Sequence, residues 1–538
     1  MTGESVVTAE QIGQAAKYDP QLRIPVRPRV RRGLVVTVGA EEVTVEGGPK
    51  RQLFRGRSAT ELLPRLLELA DGSHDHEVLA ARLGVDEEIV FKSVSLLWTC
   101  GVIEDGPADL PATEPVPDLL ADVLSRLGDS TGANPAWEQA VARLRSARVE
   151  AFGDPALVMS LTAELRDALT VHAGDHQLPQ PSTSLVLSLG DPDPALAGSC
   201  WDKNIPLLRL RVAGRRAILG PLVAPGMTPC YDCLAIEDIS DDRLPVDGDA
   251  CLAVALLARE VFALVSRTVP SVLPVRWRAV DLDTLGYSEL SGATRPGCQR
   301  CSVARGPLAE RASLAVRYEA AVAMPPKAYA DLKAHQMHYK PSNLKLQQIS
   351  RTWPVAPAVG LPEPRLDRIA WPRPAGASSQ LGAEELSLLL AMIAGIHART
   401  EQRVLRWTAS GGNIGSVTAY AVVRDMDGLA PGVYGYVMAE HRLALVSSDL
   451  SGVGGDASVT LVLTGDFPKV AQKYGAFALR IVLLDSGCAQ TTARRVAAIL
   501  GVPVSLRPRW DEEAIGAVLG VRPDTEPVTA VIDLGGMP

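Results

Sequence analysis

The sequence predicts a multidomain α/β protein, with a small N-terminal module, a central α/β domain and a C-terminal α+β domain. The chain has 538 residues, enough for three or four domains that each bury a core. Strand-like and helix-like runs alternate from residue 148 to residue 212, which is typical of a largely parallel sheet. The sequence changes character near residue 325, where another domain begins. The predicted divisions are an extension at 1–29, a module at 30–104, a linker at 105–117, an α/β domain at 118–324 and a C-terminal domain at 325–538.

Composition and charge exclude several kinds of partner. Hydrophobic residues make up 47% of the chain and charged residues 22%, as in ordinary globular proteins. Lys and Arg number 54 against 62 Asp and Glu, a net charge of −8, so we expect no nucleic-acid or anionic-membrane partner. The chain starts with the polar run Met1-Thr-Gly-Glu4, and no apolar run approaches the roughly 20 residues that span a bilayer. These features predict a cytoplasmic protein.

Residues 30–104 read as strands, three helices and a returning strand, the order of a winged-helix module. Leu34–Val38 and Val43–Val45 predict a β-hairpin. The third helix, at 86–99, starts with three acids and contains one Lys, which disfavours DNA binding because phosphate would repel it. An exposed strand edge can instead accept an extended peptide as an added strand.

The first strand-to-helix turn of the α/β domain lacks the signature of a nucleotide site. In such folds a glycine-rich loop lets backbone N–H groups surround a phosphate at the helix N-terminus. Here the turn offers only Gly153, and Asp154 follows where an anion would bind. The sequence therefore predicts no ATP or dinucleotide site at this turn.

Two Cys-x-x-Cys pairs form the most specific motif in the chain. Cys230 and Cys233 make one pair, Cys298 and Cys301 the other, and 64 residues separate them. Four thiolates in two pairs suit one tetrahedral zinc ion, and four protein ligands leave no position open for chemistry. The alternatives are a redox-active pair and chance. A redox pair is disfavoured because neither pair opens a helix of a βαβ unit, where a thiol pKa would be depressed.

A strand leads into the run from Gly220 to Cys233, and the second Cys-x-x-Cys pair follows after a long α/β stretch. This order resembles the ThiF/MoeB adenylating-enzyme family, which carries a four-cysteine zinc site at the corresponding position. More closely, it resembles the ocin-ThiF-like proteins that act with YcaO cyclodehydratases on azoline-containing ribosomal peptides, as in thiopeptide pathways. In that group a winged-helix clamp binds the precursor's leader peptide and the adenylating site is degenerate. The resemblance covers residues 30 to about 305. It implies zinc on the four cysteines, a precursor leader peptide as ligand and a YcaO cyclodehydratase as partner.

The resemblance also implies that the leader groove lies between the strand edge around Leu34–Val45 and the helix at 86–99. The residues then expected to line it are Leu34, Val36, Val38, Val43, Val45, Val90 and Val94.

The C-terminal domain carries three short motifs: Ser410-Gly-Gly-Asn413, Gly432-Val-Tyr434 and Lys473-Tyr474-Gly475. In this order they resemble the nitroreductase-fold dehydrogenases of the SagB type, which use FMN to oxidise azolines to azoles. The resemblance implies that Lys473 and Tyr474 assist removal of the ring proton. It also implies an FMN site formed by Arg373, Arg406, Ser410, Gly411, Gly412 and Asn413.

One stretch departs from that family. Its members usually carry an Arg-Arg-Ser-x-Arg-like cluster that binds the FMN phosphate, whereas residues 371–380 contain Arg373 alone. Each missing guanidinium removes charge-assisted hydrogen bonds. Arg507 and Arg509 are alternatives for that role, and are equally consistent with ordinary surface arginines.

Two functions are therefore predicted. The first is a non-catalytic scaffold that binds a leader peptide and presents the rest of the precursor to a separate YcaO enzyme. The second is an FMN-dependent azoline dehydrogenase that holds its substrate through the N-terminal module. A thiolation-type adenylating enzyme is a third reading, which the missing glycine loop disfavours. A homodimer is expected with either of the first two, because nitroreductase-fold domains usually bind FMN between two subunits.

Overall fold

A computed structural model describes residues 7–19, 22–48, 50–106, 115–127, 132–174, 178–246, 248–326, 329, 341–369, 381–400 and 403–535. The chain forms two compact units, Met1–Met337 and His338–Pro538. The prediction of a mixed α/β multidomain chain is confirmed, while the finer division of the first unit stays a prediction. Most of the predicted linker, residues 107–114, lies outside the described residues. In the described ranges no helix is both long and apolar enough to cross a membrane.

The first unit contains these helices and strands. The helices are α1 (Ala9–Tyr18), α2 (Arg57–Glu61), α3 (Leu63–Leu69), α4 (His76–Leu83), α5 (Glu87–Thr99), α6 (Asp118–Leu127), α7 (Trp137–Ser146), α8 (Pro155–Leu165), α9 (Pro194–Asp202), α10 (Tyr231–Leu234), α11 (Asp249–Ser266) and α12 (Leu314–Ala321). The strands are β1 (Pro28–Val30), β2 (Val35–Val38), β3 (Glu42–Glu46), β4 (Gln52–Arg55), β5 (Ile103–Asp105), β6 (Val149–Gly153), β7 (Val171–Ala173), β8 (Leu185–Leu189), β9 (Leu207–Ala213), β10 (Arg216–Val223), β11 (Trp277–Asp281) and β12 (Tyr287–Leu290).

The N-terminal part has its helices and hairpin where the sequence predicts them. β2, β3 and β4 form an antiparallel sheet whose inner face packs on α3, α4 and α5. The returning strand β5 does not join this sheet, since it pairs with β1, with Val30 opposite Ile103. Whether the arrangement belongs to the winged-helix class stays a prediction.

The central sheet of the first unit joins two kinds of pairing. Within the described residues its order is β12-β11-β10-β9-β8-β6-β7. The strands from β7 to β9 are parallel, as predicted, and β8 is buried along its whole length, as expected of a central parallel strand. From β9 to β12 the pairing is antiparallel, so the sheet is parallel in one half only.

The second unit contains α13 (Pro341–Gln348), α14 (Ala383–Ala394), α15 (Phe467–Tyr474), α16 (Ala478–Leu500) and α17 (Glu512–Leu519). Its strands are β13 (Ala358–Gly360), β14 (Ile396–Arg399), β15 (Val404–Arg406), β16 (Val417–Val423), β17 (Gly432–Val437), β18 (Arg442–Ser447), β19 (Val459–Gly465), β20 (Val504–Leu506) and β21 (Val528–Leu534).

These elements form the predicted α+β arrangement. In the described part of the unit, β13-β18-β17-β16-β19-β21-β20 make one antiparallel sheet, and β14 and β15 form a separate hairpin. α14 and α16 cover one face of the large sheet and α17 covers the other. β16 and β19 are buried along their whole length because both of their faces lie in a core.

Candidate functional site

The four predicted metal-ligating sulfurs converge on one point. Cys301 Sγ lies 3.6 Å from Cys230 Sγ, 3.6 Å from Cys233 Sγ and 3.7 Å from Cys298 Sγ. Cys230 Sγ and Cys298 Sγ are 3.7 Å apart. Zinc–sulfur bonds of about 2.3 Å in a tetrahedron place sulfurs about 3.8 Å apart, so this spacing fits a metal ion at the centre.

The strand directions explain how cysteines so far apart in sequence meet. β10 and β12 both run antiparallel to β11, which lies between them, so they end at the same edge of the sheet. One cysteine pair follows each of these two strands. Beside the second pair Gly297 has φ +77°, and a Cβ there would collide with the Pro307 carbonyl oxygen. Glycine is therefore required where this loop closes.

The surroundings of the sulfurs favour a bound cation. Burial raises the pKa of Cys230 and Cys233, so without a cation both would be neutral thiols. Burial also opposes ionisation of Cys298, but backbone N–H groups outweigh it and lower the pKa of Cys298 to about 7. The Arg295 N–H donates to Cys233 Sγ at 3.4 Å. The four cysteines could thus hold a metal ion as a closed site, and the identity of that ion as zinc stays a prediction.

Two strand-to-helix turns at the carboxyl edge of the parallel strands carry an aspartate cap. Asp154, before α8, accepts a hydrogen bond from the Ala156 N–H at 2.8 Å, and Asp193, before α9, accepts one from the Ala195 N–H at 2.7 Å. A helix N-terminus at this edge is where such folds bind a phosphate. A carboxylate there would repel one, which agrees with the interpretation of Asp154 made from the sequence.

A buried ionic network beside the first cysteine pair was not predicted. Arg209, on β9, is fully buried and donates to Asp238 at 2.5 and 2.8 Å and to Asp191 at 2.9 Å. Burial disfavours the charged guanidinium, but Asp238 outweighs burial and the pKa of Arg209 is raised. Asp191 follows β8 at the edge where open α/β sheets bind ligands, so the protein's own charges occupy this position. The available signal was an arginine within the apolar run Leu207–Leu210.

In the second unit a buried carboxylate, also not predicted, organises the loop Ser410–Ser416. Asp485, on α16, is 4% exposed. It accepts hydrogen bonds from the Ser410 hydroxyl at 2.9 Å, the Gly411 N–H at 2.7 Å and the Ser416 hydroxyl at 2.6 Å. We call this loop with Asp485 the clasp. The available signal was an acid within the long apolar helix that follows Lys473-Tyr474-Gly475.

Two cations hold the clasp from the other side. Arg406 donates to the carbonyl oxygens of Gln347 and Ile414 at 2.9 and 3.0 Å, and Lys469 donates to that of Gly415 at 2.9 Å. Burial lowers the pKa of Arg406 to about 10 and the pKa of Lys469 to about 8. Because these donors point at backbone carbonyls, they stabilise the loop itself.

The predicted catalytic pair lies on the exposed side of the same loop. Lys473 and Tyr474 end α15, and a Cβ on Gly412 would collide with the Lys473 ammonium and the Tyr474 hydroxyl. Lys473 Nζ is 5.1 Å from the centre of the Tyr474 ring. The fold thus brings these three residues together, and their catalytic role stays a prediction.

Several of the other predicted FMN residues bond to the protein itself, and their part in an FMN site stays a prediction. The polar atoms of Ser410 and Gly411 bind Asp485, and the Asn413 amide donates to the Val404 carbonyl. The cavity beside Arg406 has a volume of about 20 Å³, room for about one water molecule. A tricyclic ring does not fit in this cavity. On the other side of the loop Gly412 is exposed, and Lys473 and Tyr474 are half-buried.

Of the two arginines considered as alternatives for the phosphate site, one is already paired with an acid. Arg507 donates to both carboxylate oxygens of Asp533 at 2.7 Å, so it does not replace the missing cluster. Arg509 is exposed on the surface. Arg373 lies outside the described residues, and its role stays a prediction.

The residues predicted to line the peptide groove divide into two sets. The buried set packs in the core, so the prediction that these residues contact a peptide is wrong: Val43, Val45, Val90 and Val94. Their side chains face inward because a half-buried strand or helix turns its apolar positions to the core. The second set lies at the surface: Leu34 and Val36 are half-buried, and Val38 is exposed.

The hairpin nevertheless offers an open strand edge. β2 pairs with β3 and, among the described residues, with no other strand. Val35 and Val38, at the two ends of β2, are 60% and 55% exposed. An unpaired edge presents backbone N–H and C=O groups that another extended chain can bind.

Comparison with known proteins finds partial likenesses. No protein-family model and no curated protein matches the chain. The heterocyclase TruD matches 52% of this chain at 19% identity and TM-score 0.38, and the chain spans 43% of TruD's length. E. coli MccB matches 51% of this chain and 97% of its own at 13% identity and TM-score 0.39. A putative nitroreductase from Anabaena variabilis matches 37% of this chain and 45% of its own at 22% identity and TM-score 0.29.

Proposed function

We propose that this protein binds the leader segment of a ribosomally made precursor peptide and presents the precursor to a YcaO cyclodehydratase for azoline formation. The observation that carries the proposal is the open edge of β2. It joins unpaired backbone groups to exposed valines, the combination that recognises an extended peptide by strand addition. Main-chain hydrogen bonds supply affinity, and the pockets between alternate side chains supply selectivity.

The α/β domain acts as a scaffold in this proposal. Asp154 and Asp193 take the helix N-termini where a nucleotide phosphate would bind, and the Arg209 network fills the neighbouring edge of the sheet. Zinc on the four cysteines fixes the loops after β10 and β12 to each other. Cyclodehydration itself then belongs to the partner enzyme.

The test is a binding titration with fluorescein-labelled leader peptides of azoline-type precursors, followed by fluorescence anisotropy. A peptide that adds as a strand uses the N–H groups of alternate residues. N-methylation of every odd residue and of every even residue should therefore differ, one set abolishing binding and the other preserving it. Equal loss or equal retention in both sets contradicts strand addition.

Variants locate the peptide on the protein. Val35→Asp places a charge at the end of β2 and should weaken binding on the order of tenfold. Leu285→Asp changes a similarly exposed residue, 57% against 60%, in the α/β domain, and should leave affinity unchanged. Equal effects of the two substitutions would place the peptide elsewhere.

The second candidate is an FMN-dependent azoline dehydrogenase, favoured by the meeting of Gly412, Lys473 and Tyr474. In that case FMN would be the oxidant, and Lys473 and Tyr474 would assist removal of the ring proton. A visible absorption spectrum after addition of FMN and dialysis tests it. Flavin bands at about one flavin per chain support this candidate, and Lys473→Ala should then stop oxidation. A colourless protein leaves peptide binding as the function.

A further inference from the structure

Helix α6 is bound to the stretch of chain that leads into β2. The Arg32 side chain donates to Asp122 at 2.9 Å and to Asp118 at 2.8 Å. The Arg32 backbone N–H donates to the Ser125 hydroxyl at 2.9 Å. α6 therefore lies beside one end of the open edge to which the peptide is expected to bind.

Arg126, in the last turn of α6, meets this end of the edge directly. A Cβ on Gly33 would lie 3.1 Å from both Cδ and Nε of Arg126. β3 lies on a different side of the chain, because a Cβ on Gly47, just after β3, would lie 2.7 Å from the Gly33 carbonyl oxygen. A strand added to β2 runs about 4.8 Å from it, so a peptide side chain near Gly33 is within reach of the Arg126 guanidinium.

Arg126 also keeps most of its hydrogen-bonding capacity. Its Nε donates to the Asp122 carbonyl oxygen at 3.3 Å, and no carboxylate among the described residues pairs with it. Three nearby arginines are each paired with an acid: Arg29 with Glu138, Arg31 with Glu104, and Arg32 with Asp122. A guanidinium carries five N–H donors, so the far end of the Arg126 side chain is left for a ligand.

The opposite end of β2 carries the opposite charge. The turn that follows Val38 contains two acids, Glu41 and Glu42. Glu42 pairs with Arg55 at 2.9 Å, whereas Glu41 is exposed and, in the described ranges, has no cationic partner. The open edge thus runs from an unpaired cation to an unpaired anion.

We propose that Arg126 is a specificity-determining residue of the peptide site, where it pairs with an acidic side chain of the leader beside Gly33. This inference rests on the proposed function and names the class of leader, an extended segment with a carboxylate at one end. Hydrogen bonds from a guanidinium to a carboxylate are charge-assisted, so an acid is the residue type that Arg126 selects. Glu41 repels an acid at the other end, and the two charges together set the direction in which the leader lies.

The experiment is a double-mutant cycle between protein and peptide. The probe is a fluorescein-labelled leader of an azoline-type precursor, followed by fluorescence anisotropy, with each Asp changed singly to Asn and each Glu to Gln. One of these changes should weaken binding to the unaltered protein about fivefold, the effect of a partly exposed ion pair. The same change should have no effect on binding to Arg126→Gln.

A matched control and a charge exchange sharpen the cycle. Arg166→Gln, at an arginine after α8 whose side chain is 74% exposed, should keep the full effect of the peptide change. Gln at position 126 can still donate to the Asp122 carbonyl, so the first unit should keep its melting temperature. Arg126→Glu should bind a leader whose coupled acid is replaced by Lys better than it binds the original leader.

The outcomes separate this inference from the proposed function. A leader that binds while none of its acids couples to position 126 overturns the inference and leaves the proposed function standing. A leader that binds no form of the protein overturns the proposed function and the inference with it. Added sodium chloride should reduce the coupling because salt screens a partly exposed pair. A coupling that does not change with salt would contradict an ion pair at Arg126.

Discussion

The two units each contain residues that the sequence marks for a cofactor, and the two sets differ in where their polar atoms point. In the first unit four cysteine sulfurs face one centre, with neighbouring sulfurs 3.6 to 3.7 Å apart, and the hydrogen bonds that they accept from the protein include those of backbone N–H groups such as that of Arg295. In the clasp of the second unit, Asp485 and neighbouring carbonyls already take the hydrogen bonds of the chosen residues. A set of ligand-type residues becomes a site only when its bonding capacity is left for a ligand.

The largest effect should come from breaking the cysteine set. Cys233→Ser removes one thiolate from a closed site, and structural zinc contributes about 10–16 kcal/mol of apparent binding free energy that is also folding free energy. We expect zinc content, measured by mass spectrometry of the metal, to fall from about one ion per chain to none. The first unit should then unfold at a lower temperature.

Cys251→Ser is the matched control, since Cys251 is an exposed thiol of the same unit. It should keep its zinc and its melting temperature. A protein that contains no zinc before mutation, or that keeps it in Cys233→Ser, would contradict the metal assignment.

A smaller effect should come from breaking the clasp. Asp485→Ala leaves the Ser410 hydroxyl, the Gly411 N–H and the Ser416 hydroxyl without their acceptor, and each buried unsatisfied donor costs about 1–3 kcal/mol. Ser416 is buried, whereas Ser410 and Gly411 are half-buried, so we expect the second unit to lose about 1–3 kcal/mol of unfolding free energy in urea titrations. Asp524→Ala, an exposed partner of Arg522, should change nothing measurable. Unchanged stability of Asp485→Ala would mean that the clasp's polar groups are free to serve a ligand.

The exposed apolar residues of α16 are where we expect a second copy of the chain to pack. Leu483 and Leu484 are 51% and 58% exposed on this helix, beside Gly487, where a close approach is possible. In the homodimer predicted from the sequence, Leu484→Glu should convert a two-chain mass into a one-chain mass in light scattering. Val355→Glu, at a residue that is 98% exposed elsewhere in the unit, should keep the dimer. A one-chain mass before mutation contradicts the prediction of a homodimer.

The sequence was sufficient where spacing alone carries the chemistry. The Cys-x-x-Cys pairs could be read directly, although nothing in the sequence shows that β10 and β12 end at the same edge. The alternation of apolar and polar residues located β3, but it did not show which face of the strand packs on the core. Core residues such as Val43 were therefore assigned to a peptide groove. Asp485 acts 74 residues from Gly411, and such pairs appear only once the chain is folded.

The N-terminal extension also shows that local sequence predicts an element but not its packing. Thr8 and Gln11 have the spacing of a capping box, which signals a helix start before Ile12 and Ala16. The helix itself was therefore predictable. Its packing on α5 was not, because it depends on the meeting of Gly13 with Lys92 across a long stretch of chain.

The smallest effect concerns the charge that the clasp buries. Burial lowers the pKa of Lys469 to about 8, below the ~10.4 of an unfolded lysine. Between these values the unfolded chain binds more protons, so the free energy of unfolding should rise with pH, by up to about 3 kcal/mol from pH 8 to about 10.4. In urea titrations Lys469→Met should lack this rise, while Lys345→Met, at an exposed lysine on α13, should keep it.

Adding inorganic phosphate to the same titrations tests whether the clasp binds an anion. An anion bound at the clasp would raise the pKa of Lys469 and flatten the rise in the unaltered protein, whereas a clasp saturated by its own chain should give the same curve with and without phosphate.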